Sequence, residues 1–277
     1  MIDNQLIFIK LGGSLITDKM RSFTPRLDTL RRLAAEIAEA RALLPGLRLI
    51  IGHGSGSFGH VPAQEYKTHD GVSTSSQWEG FSAVWREART LNQLVIQAML
   101  DANLPVIAFP PSSCVLTQDH SILSWDTRPI KAALDANLIP VVNGDVTFDA
   151  EIGGTILSTE EAFYYLAECL YPQRILLAGM ERGVWKNFPE CTEVIPTITP
   201  LTYNNIKGYL SGSMAVDVTG GMLQKVSSMV ELVSRQSNLQ ISIFSGDIAN
   251  HTLKALLGEK HGTLISDFEN LHQSRIK

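Results

Sequence analysis

The stretch Leu49-Ile-Ile-Gly-His-Gly-Ser-Gly-Ser-Phe-Gly-His60 most constrains what this chain can fold into. It begins as an apolar strand and breaks into a loop with four glycines in eight residues, 52–59. Only glycine reaches every backbone angle such a loop needs and lets the main chain close on a ligand without a Cβ in the way. A run of N–H groups after a strand makes a concave anion site, and here His53 and His60 lie within it. Taken alone, the stretch reads equally as a tight strand-to-helix turn. A second unit of the same kind shifts the balance. Leu6-Ile-Phe-Ile-Lys-Leu-Gly-Gly-Ser14 is again a strand running into glycines, with Lys10 just before them. Two such units in the first sixty residues imply phosphates held from two sides.

The chain around these loops alternates strand and helix. Thr24-Pro25 reads as a helix start, and Leu27, Leu30, Leu33, Ala34 and Ile37 recur at helical spacing. Strand Leu47–Ile51 follows Pro45-Gly46, and a strand-helix-strand unit brings both glycine loops to the same, C-terminal, edge of a parallel sheet. Residues 64–77 read as a polar, mobile surface loop. A long helix then carries Trp78, Phe81, Val84, Trp85, Ala88, Leu91, Val95 and Met99 on its apolar side. Further strands are expected at 106–109 and 138–142, the latter running into Asn143-Gly-Asp145, with a helix at 129–137 between them and a hairpin turn at 149–154. Ser158-Thr-Glu-Glu161 is a capping box opening the next helix. The second half reads as a strand at 174–178, an irregular polar segment at 197–213, a helix opening at Asp217-Val-Thr-Gly-Gly-Met-Leu-Gln-Lys225, a strand at 240–245, a helix at 248–257 and a strand at 262–266. The expectation is an α/β protein, a three-layer α/β/α sandwich with a largely parallel central sheet. It forms a single domain over 1–277, with lobes of about 1–172 and about 173–277 sharing one continuous sheet.

Composition excludes several classes. At 277 residues the chain can bury a full core, and a net charge of −5 gives no basic surplus for a nucleic-acid backbone. The three cysteines, Cys114, Cys169 and Cys191, are widely spaced, fit neither a zinc site nor a disulfide framework, and point to a reducing compartment. The N-terminal apolar run is too short for a signal peptide, and no run reaches membrane-spanning length. A cytoplasmic protein with no membrane partner is expected.

Lys10-Leu-Gly-Gly-Ser14, Gly52-His-Gly-Ser-Gly-Ser-Phe-Gly-His60, Asn143-Gly-Asp145 and Thr219-Gly-Gly-Met-Leu-Gln-Lys225 stand in the order seen in the amino acid kinase superfamily. The resemblance runs from Lys10 to Gly262-Thr-Leu-Ile265, nearly the whole chain. Within it, the ending Gly-Ser-Phe-Gly-His60 resembles the isopentenyl phosphate kinases, which make isopentenyl diphosphate from isopentenyl phosphate and ATP. Fosfomycin kinases share the histidine. The resemblance implies an amino acid kinase-like fold, ATP and Mg²⁺ as cofactors, a small alkyl phosphate as acceptor, and a homodimer.

Phosphoryl transfer between two polyanions is mostly positioning and charge neutralisation, and without a Walker A motif separate lysines must do that work. By resemblance, Lys10 contacts the ATP phosphates, Lys19 stabilises charge on the transferring group, and Lys225 holds the β- and γ-phosphates from the opposite lobe. The alternative for each lysine, less favoured at these motif positions, is a solvated surface cation. Gly12, Gly13, Ser14, Ser55, Gly179, Met180, Gly183, Gly220 and Gly221 are the remaining ATP-side candidates. Asp145 either orients the lysines or an ion, or is a turn aspartate bonding its own backbone. His60 donates to the acceptor phosphate, as an imidazolium suits a dianion. Gly54, Gly59, Gly153 and Gly154 join it on the acceptor side, while His53 reads as structural. Trp78, Phe81, Val84 and Trp85 have the character of a wall for an isoprenoid tail, and equally of core at helical spacing. Ala178-Gly-Met-Glu-Arg-Gly-Val-Trp185 departs from the family pattern, with Met180 and Arg182 where relatives carry acids near the nucleotide. The alternatives to the isopentenyl phosphate reading are a kinase for another small phosphate or phosphonate such as fosfomycin, and a non-catalytic nucleotide-binding protein of the same fold.

Overall fold

Leu6–Leu11 (β1) is buried along its whole length, as befits a strand covered on both faces. A computed structural model describes the chain over residues 5–187, 189–210 and 221–267. After β1 come a short helix Gly13–Ile16 (α1), helix Leu27–Leu43 (α2), strand Arg48–His53 (β2), helix Gly56–Tyr66 (α3) and helix Ser75–Asp101 (α4). Strand Val106–Ala108 (β3) is followed by Val115–Gln118 (β4), Ser121–Trp125 (β5), helix Arg128–Asp135 (α5) and strands Ile139–Asn143 (β6), Asp145–Asp149 (β7) and Gly153–Leu157 (β8). Helix Thr159–Leu170 (α6), strand Arg174–Gly179 (β9), strand Thr197–Ile198 (β10) and helix Pro200–Leu210 (α7) come next. Helix Gly221–Arg235 (α8), strand Gln240–Ser245 (β11), helix His251–Leu256 (α9) and strand Thr263–Ser266 (β12) close the chain's described part.

One eight-stranded sheet runs through both halves in the order β10-β12-β11-β9-β1-β2-β6-β3, parallel except where β11 meets β12. Side chains along β1 alternate between two cores. Phe8 joins the one formed with α5, α6 and α8, where it meets Phe163 with ring centroids 5.1 Å apart. Ile7, Ile9 and Leu11 join the one formed with α2, α4 and α9. The three layers expected from the sequence are therefore present, with β1 and β9 bringing the two halves together in one sheet.

Three expectations need correction. A second, four-stranded sheet, β5-β4-β7-β8, stands apart from the main sheet's strand order and packs against α4 through β7. Its short strands hide in sequence because β4 and β5 are only four and five residues long and leave the apolar Leu116 and Leu123 exposed, so hydrophobicity does not follow burial. Residues 64–77 are not one long loop. α3 runs to Tyr66 despite its glycines and Pro62, a 3₁₀ turn follows at Thr68–Asp70, and Thr74 with Gln77 forms a reciprocal cap that starts α4 at Ser75. Residues 197–210 are regular as well, with β10 paired to β12 and Thr199 capping α7 through Thr202 N–H at 3.2 Å, ahead of proline at the first helical position. The remainder of that expected irregular segment, 211–213, and the Asp217 start of the next helix lie outside the described residues.

Candidate active site

The sheet's register brings the glycine loops together. Lys10 pairs with Gly52 and Leu11 with His53, while His53 on its other side pairs with Asn143, so three strand ends open at one edge. There the two loops touch through their main chains. A Cβ on Gly13 would lie 2.5 Å from the Gly56 nitrogen, and Gly56 itself stands at φ +51°, so glycine is required on both sides of this contact. Thr17 fastens the junction, donating its hydroxyl to Gly13 O at 2.7 Å and accepting Ser57 N–H at 3.0 Å. Gly12 N–H reaches across to Ala178 O of β9 at 2.8 Å.

A cavity of about 1120 Å³ opens above these loops. Lys10, Lys19, His60 and Lys225 all line it, as do Gly12, Gly13, Ser14, Gly54, Ser55, Gly179, Met180 and Gly221. At its floor, Glu160 in the first turn of α6 pairs with Lys10 at 2.5 Å and with Lys225 at 3.4 Å. The carboxylate thus ties β1 to α8. Burial pushes Glu160 up, but Lys10 and Lys225 outweigh it and hold the carboxyl at about 2. Its neighbour Glu161 is occupied elsewhere, closing the helix cap by accepting Ser158 N–H at 2.7 Å.

Asp145 is not the acid that orients the lysines. It lies off the cavity, at the start of β7, accepting Ser112 N–H at 3.2 Å and Val146 N–H at 2.9 Å, and burial raises its pKa. It faces a smaller neighbouring cavity together with Asn143, Asn92 and Trp85. Its role is the turn aspartate's, anchoring the segment before β4. His53 is wholly buried, with Nδ1 3.1 Å from Gly54 O and Nε2 2.9 Å from Asn92 Oδ1. Burial lowers its pKa, which keeps it a neutral, structural imidazole.

Four glycine candidates lie away from the lining, where backbone shape and packing require them. A Cβ at Gly59 would meet Ser55, at Gly154 the Phe81 ring, and at Gly183 the side chains of Val194 and Thr263. Gly153 takes φ +79° in the β7–β8 turn. Gly220 lies outside the described residues. Of the aromatic helix face, Phe81 and Val84 are buried in a small apolar cluster with Ala63, Val72 and Val146. Ile156 packs on that cluster and also lines the cavity, so Phe81 and Val84 stand one layer behind its wall. Trp78 and Trp85 are partly exposed, and Trp85 borders the smaller cavity instead.

The sequence matches the Amino acid kinase family over residues 5–245. The chain belongs to that family. Among its relatives is an isopentenyl phosphate kinase of Methanocaldococcus jannaschii, 36% identical over 266 residues that cover 94% of this chain and 98% of the relative. An isopentenyl phosphate kinase of Arabidopsis thaliana is 26% identical over 239 residues, covering 80% of this chain and 71% of the relative. Among solved structures, one described as an isopentenyl phosphate kinase aligns at TM-score 0.78 and 27% identity, covering 94% of this chain and all of the other. A product complex of the Thermoplasma acidophilum isopentenyl phosphate kinase aligns at TM-score 0.74 and 25% identity, covering 94% and 99%.

As an amino acid kinase, the chain shows where sequence reasoning fell short. Glu160 was hidden inside the capping box, where Glu161 accounts for the motif and its neighbour looks like ordinary first-turn acid. At the other end, Trp185 donates Nε1–H to Glu181 at 2.6 Å, and both line the cavity beside Met180. This pair stands in the segment that departs from the family pattern. Met180 is itself met by Arg26, which also pairs with Asp247 at 2.9 Å. Among the described residues no cluster of three metal-ligating side chains occurs, and no helix is long and apolar enough to cross a membrane.

Proposed function

We propose that the protein transfers the γ-phosphoryl group of ATP to isopentenyl phosphate, giving isopentenyl diphosphate and ADP. The observation that carries this reading is one cavity lined at once by the Glu160-bridged lysines and by His60 with Lys19, in a chain 36% identical to a protein named isopentenyl phosphate kinase.

The residues divide the work by charge. Lys10 and Lys225 approach from opposite halves and bind the β- and γ-phosphate oxygens. Lys225 is the fifth residue of α8, near the N-terminal end whose dipole favours an anion as the ammonium does. Glu160 holds both ammonium groups in place before the nucleotide arrives, which lowers the reorganisation needed on binding. N–H groups of the paired glycine loops cradle the phosphates, with Ser14 and Ser55 beside them. Lys19 adds charge where it develops on the transferring group, and His60 holds the acceptor phosphate in line. Isopentenyl phosphate already carries an ionised oxygen as nucleophile, so no general base is required. A Mg²⁺ ion carried on the nucleotide's own phosphates would supply further charge neutralisation there. The acceptor's tail lies along Ile156, backed by Phe81 and Val84.

The chain is proposed to work as one domain, its acceptor lobe over about 1–172 and its nucleotide lobe over about 173–277. A homodimer is proposed from the family likeness and from the edge strand β3, which leaves Ile107 exposed. A cytoplasmic location is proposed from three cysteines that form no disulfide. ADP release measured against a panel of acceptors tests the function. Isopentenyl phosphate is expected to be turned over faster than fosfomycin, glutamate or a nucleoside monophosphate. A faster rate with fosfomycin would support the phosphonate alternative, and no turnover with any acceptor would support a non-catalytic protein.

A further inference from the structure

Two more imidazoles line the cavity that holds His60, and the roles above use neither. His69 lies in the 3₁₀ turn after α3, and His120 lies at the tip of the β4–β5 hairpin. Their rings stack with centroids 4.9 Å apart and planes 21° from parallel. The hairpin tip is built against backbone preference. Asp119 stands at φ +44° and His120 at φ +67°, two successive non-glycine residues in the left-handed region. Such conformations persist only where their surroundings over-determine them, and they cluster at functional sites. Here Asp149 does the determining. Its carboxylate accepts the N–H groups of Asp119 at 3.1 Å, His120 at 3.0 Å, Glu151 at 3.0 Å and Ile152 at 3.1 Å.

The ring of His120 is fixed as well. Thr155 Oγ1, wholly buried on β8, donates to His69 O at 3.2 Å, so only its lone pairs are left for His120 Nδ1 at 3.0 Å. Nδ1 therefore carries the proton in the neutral ring, and a second proton goes to Nε2. A strained turn, a buried carboxylate and a buried threonine thus hold one imidazole at the wall of an anion-binding cavity.

We propose that His120 is a second acceptor-binding residue. Protonated, it donates Nε2–H to a non-reacting oxygen of the alkyl phosphate, with His69 stacked behind it and Thr155 as its positioning residue. This rests on the reading of the site as an alkyl phosphate kinase. The charged and titratable groups around it are His69 and Asp70 on the 3₁₀ turn, Asp119 on its own turn, Asp149 and Glu151 on the β7–β8 turn, and His60 and Lys19 elsewhere in the cavity lining.

The test is steady-state kinetics of wild type, His120→Ala, His120→Lys and Thr155→Val with isopentenyl phosphate and ATP at one fixed pH, alongside thermal unfolding. His120→Ala is expected to raise the acceptor KM about tenfold or more, with the ATP KM unchanged. His120→Lys keeps a cationic donor, so it restores the acceptor KM. Thr155→Val falls between wild type and His120→Ala. An acceptor KM unchanged in both His120 variants would overturn the inference. So would parallel losses for ATP and acceptor with lowered melting temperature and no rescue by lysine, which mark a structural residue. A wild-type enzyme silent toward isopentenyl phosphate would instead overturn the functional reading on which the inference stands.

Discussion

Glu160 pairs with Lys10 at 2.5 Å, joining the first turn of α6 to the central strand β1 directly beneath the glycine loops. Since Lys225 also meets this carboxylate, at 3.4 Å, its removal leaves two ammonium groups facing one another without their shared counter-charge. Glu160→Gln is expected to lower kcat/KM for ATP by about ten- to hundredfold, since hydrogen bonds to charged groups contribute roughly 1.5–3 kcal/mol. The pH dependence follows in sign. The folded-state carboxyl is held at about 2, below its ordinary value of 4.5, so it stabilises the fold above the ordinary value and loses that contribution as pH falls toward 2. Urea unfolding at a series of pH values between 5 and 2.5 should show a decline in wild type that is smaller in Glu160→Gln. Equal declines in the two proteins would remove the bridge from the account.

Lys19 lies in the exposed loop after α1, at the cavity's edge. A donor aimed at charge that develops in the transition state is worth on the order of 10²–10³ in rate. Lys19→Ala should lower kcat by that order while moving either KM by much less. A near-native kcat would return Lys19 to the surface cations.

The tail prediction is layered. Ile156 lines the cavity, with Phe81 and Val84 behind it, while the partly exposed Trp78 packs on Phe81 and Trp85 borders the smaller cavity. Ile156→Ala, Phe81→Ala and Val84→Ala should raise kcat/KM for geranyl phosphate relative to isopentenyl phosphate, and Trp85→Ala should leave the ratio alone. Lost stability with unchanged ratios in all three would make these residues core only.

His60→Ala should cost about ten- to hundredfold in kcat/KM for the acceptor, since the charged phosphate loses a hydrogen bond. His60→Asn keeps a donor but no charge and should fall between. ATP binding, followed by calorimetry, should hardly change in either variant. Joint loss of ATP and acceptor binding would make His60 a support of the glycine loop, since it sits on α3 directly after that loop.

Much of this arrangement was legible because it is local. The strand-glycine units state their geometry in consecutive residues, and the alternation of Ile7, Phe8 and Ile9 on β1 needs only a covered sheet to become two cores. What the sequence hid depends on contacts between distant segments. Glu160 meets Lys10 across 150 positions, and nothing in the local pattern distinguishes it from Glu161 beside it. Asp145 stayed ambiguous for the converse reason: its motif position suggests a site acid, but its oxygens are taken by Ser112 and Val146. The small sheet escaped notice because β4 and β5 expose alternate apolar residues, and with it went the hairpin that carries His120.

The most direct test of the account follows the phosphoryl group itself. With ATP labelled in the γ-phosphate and isopentenyl phosphate as acceptor, the wild-type protein should place the label in the terminal phosphate of isopentenyl diphosphate. Lys10→Met and Lys225→Met should each slow that transfer by on the order of 10²-fold or more. Label appearing only as inorganic phosphate, or transfer undiminished in both lysine variants, would contradict it.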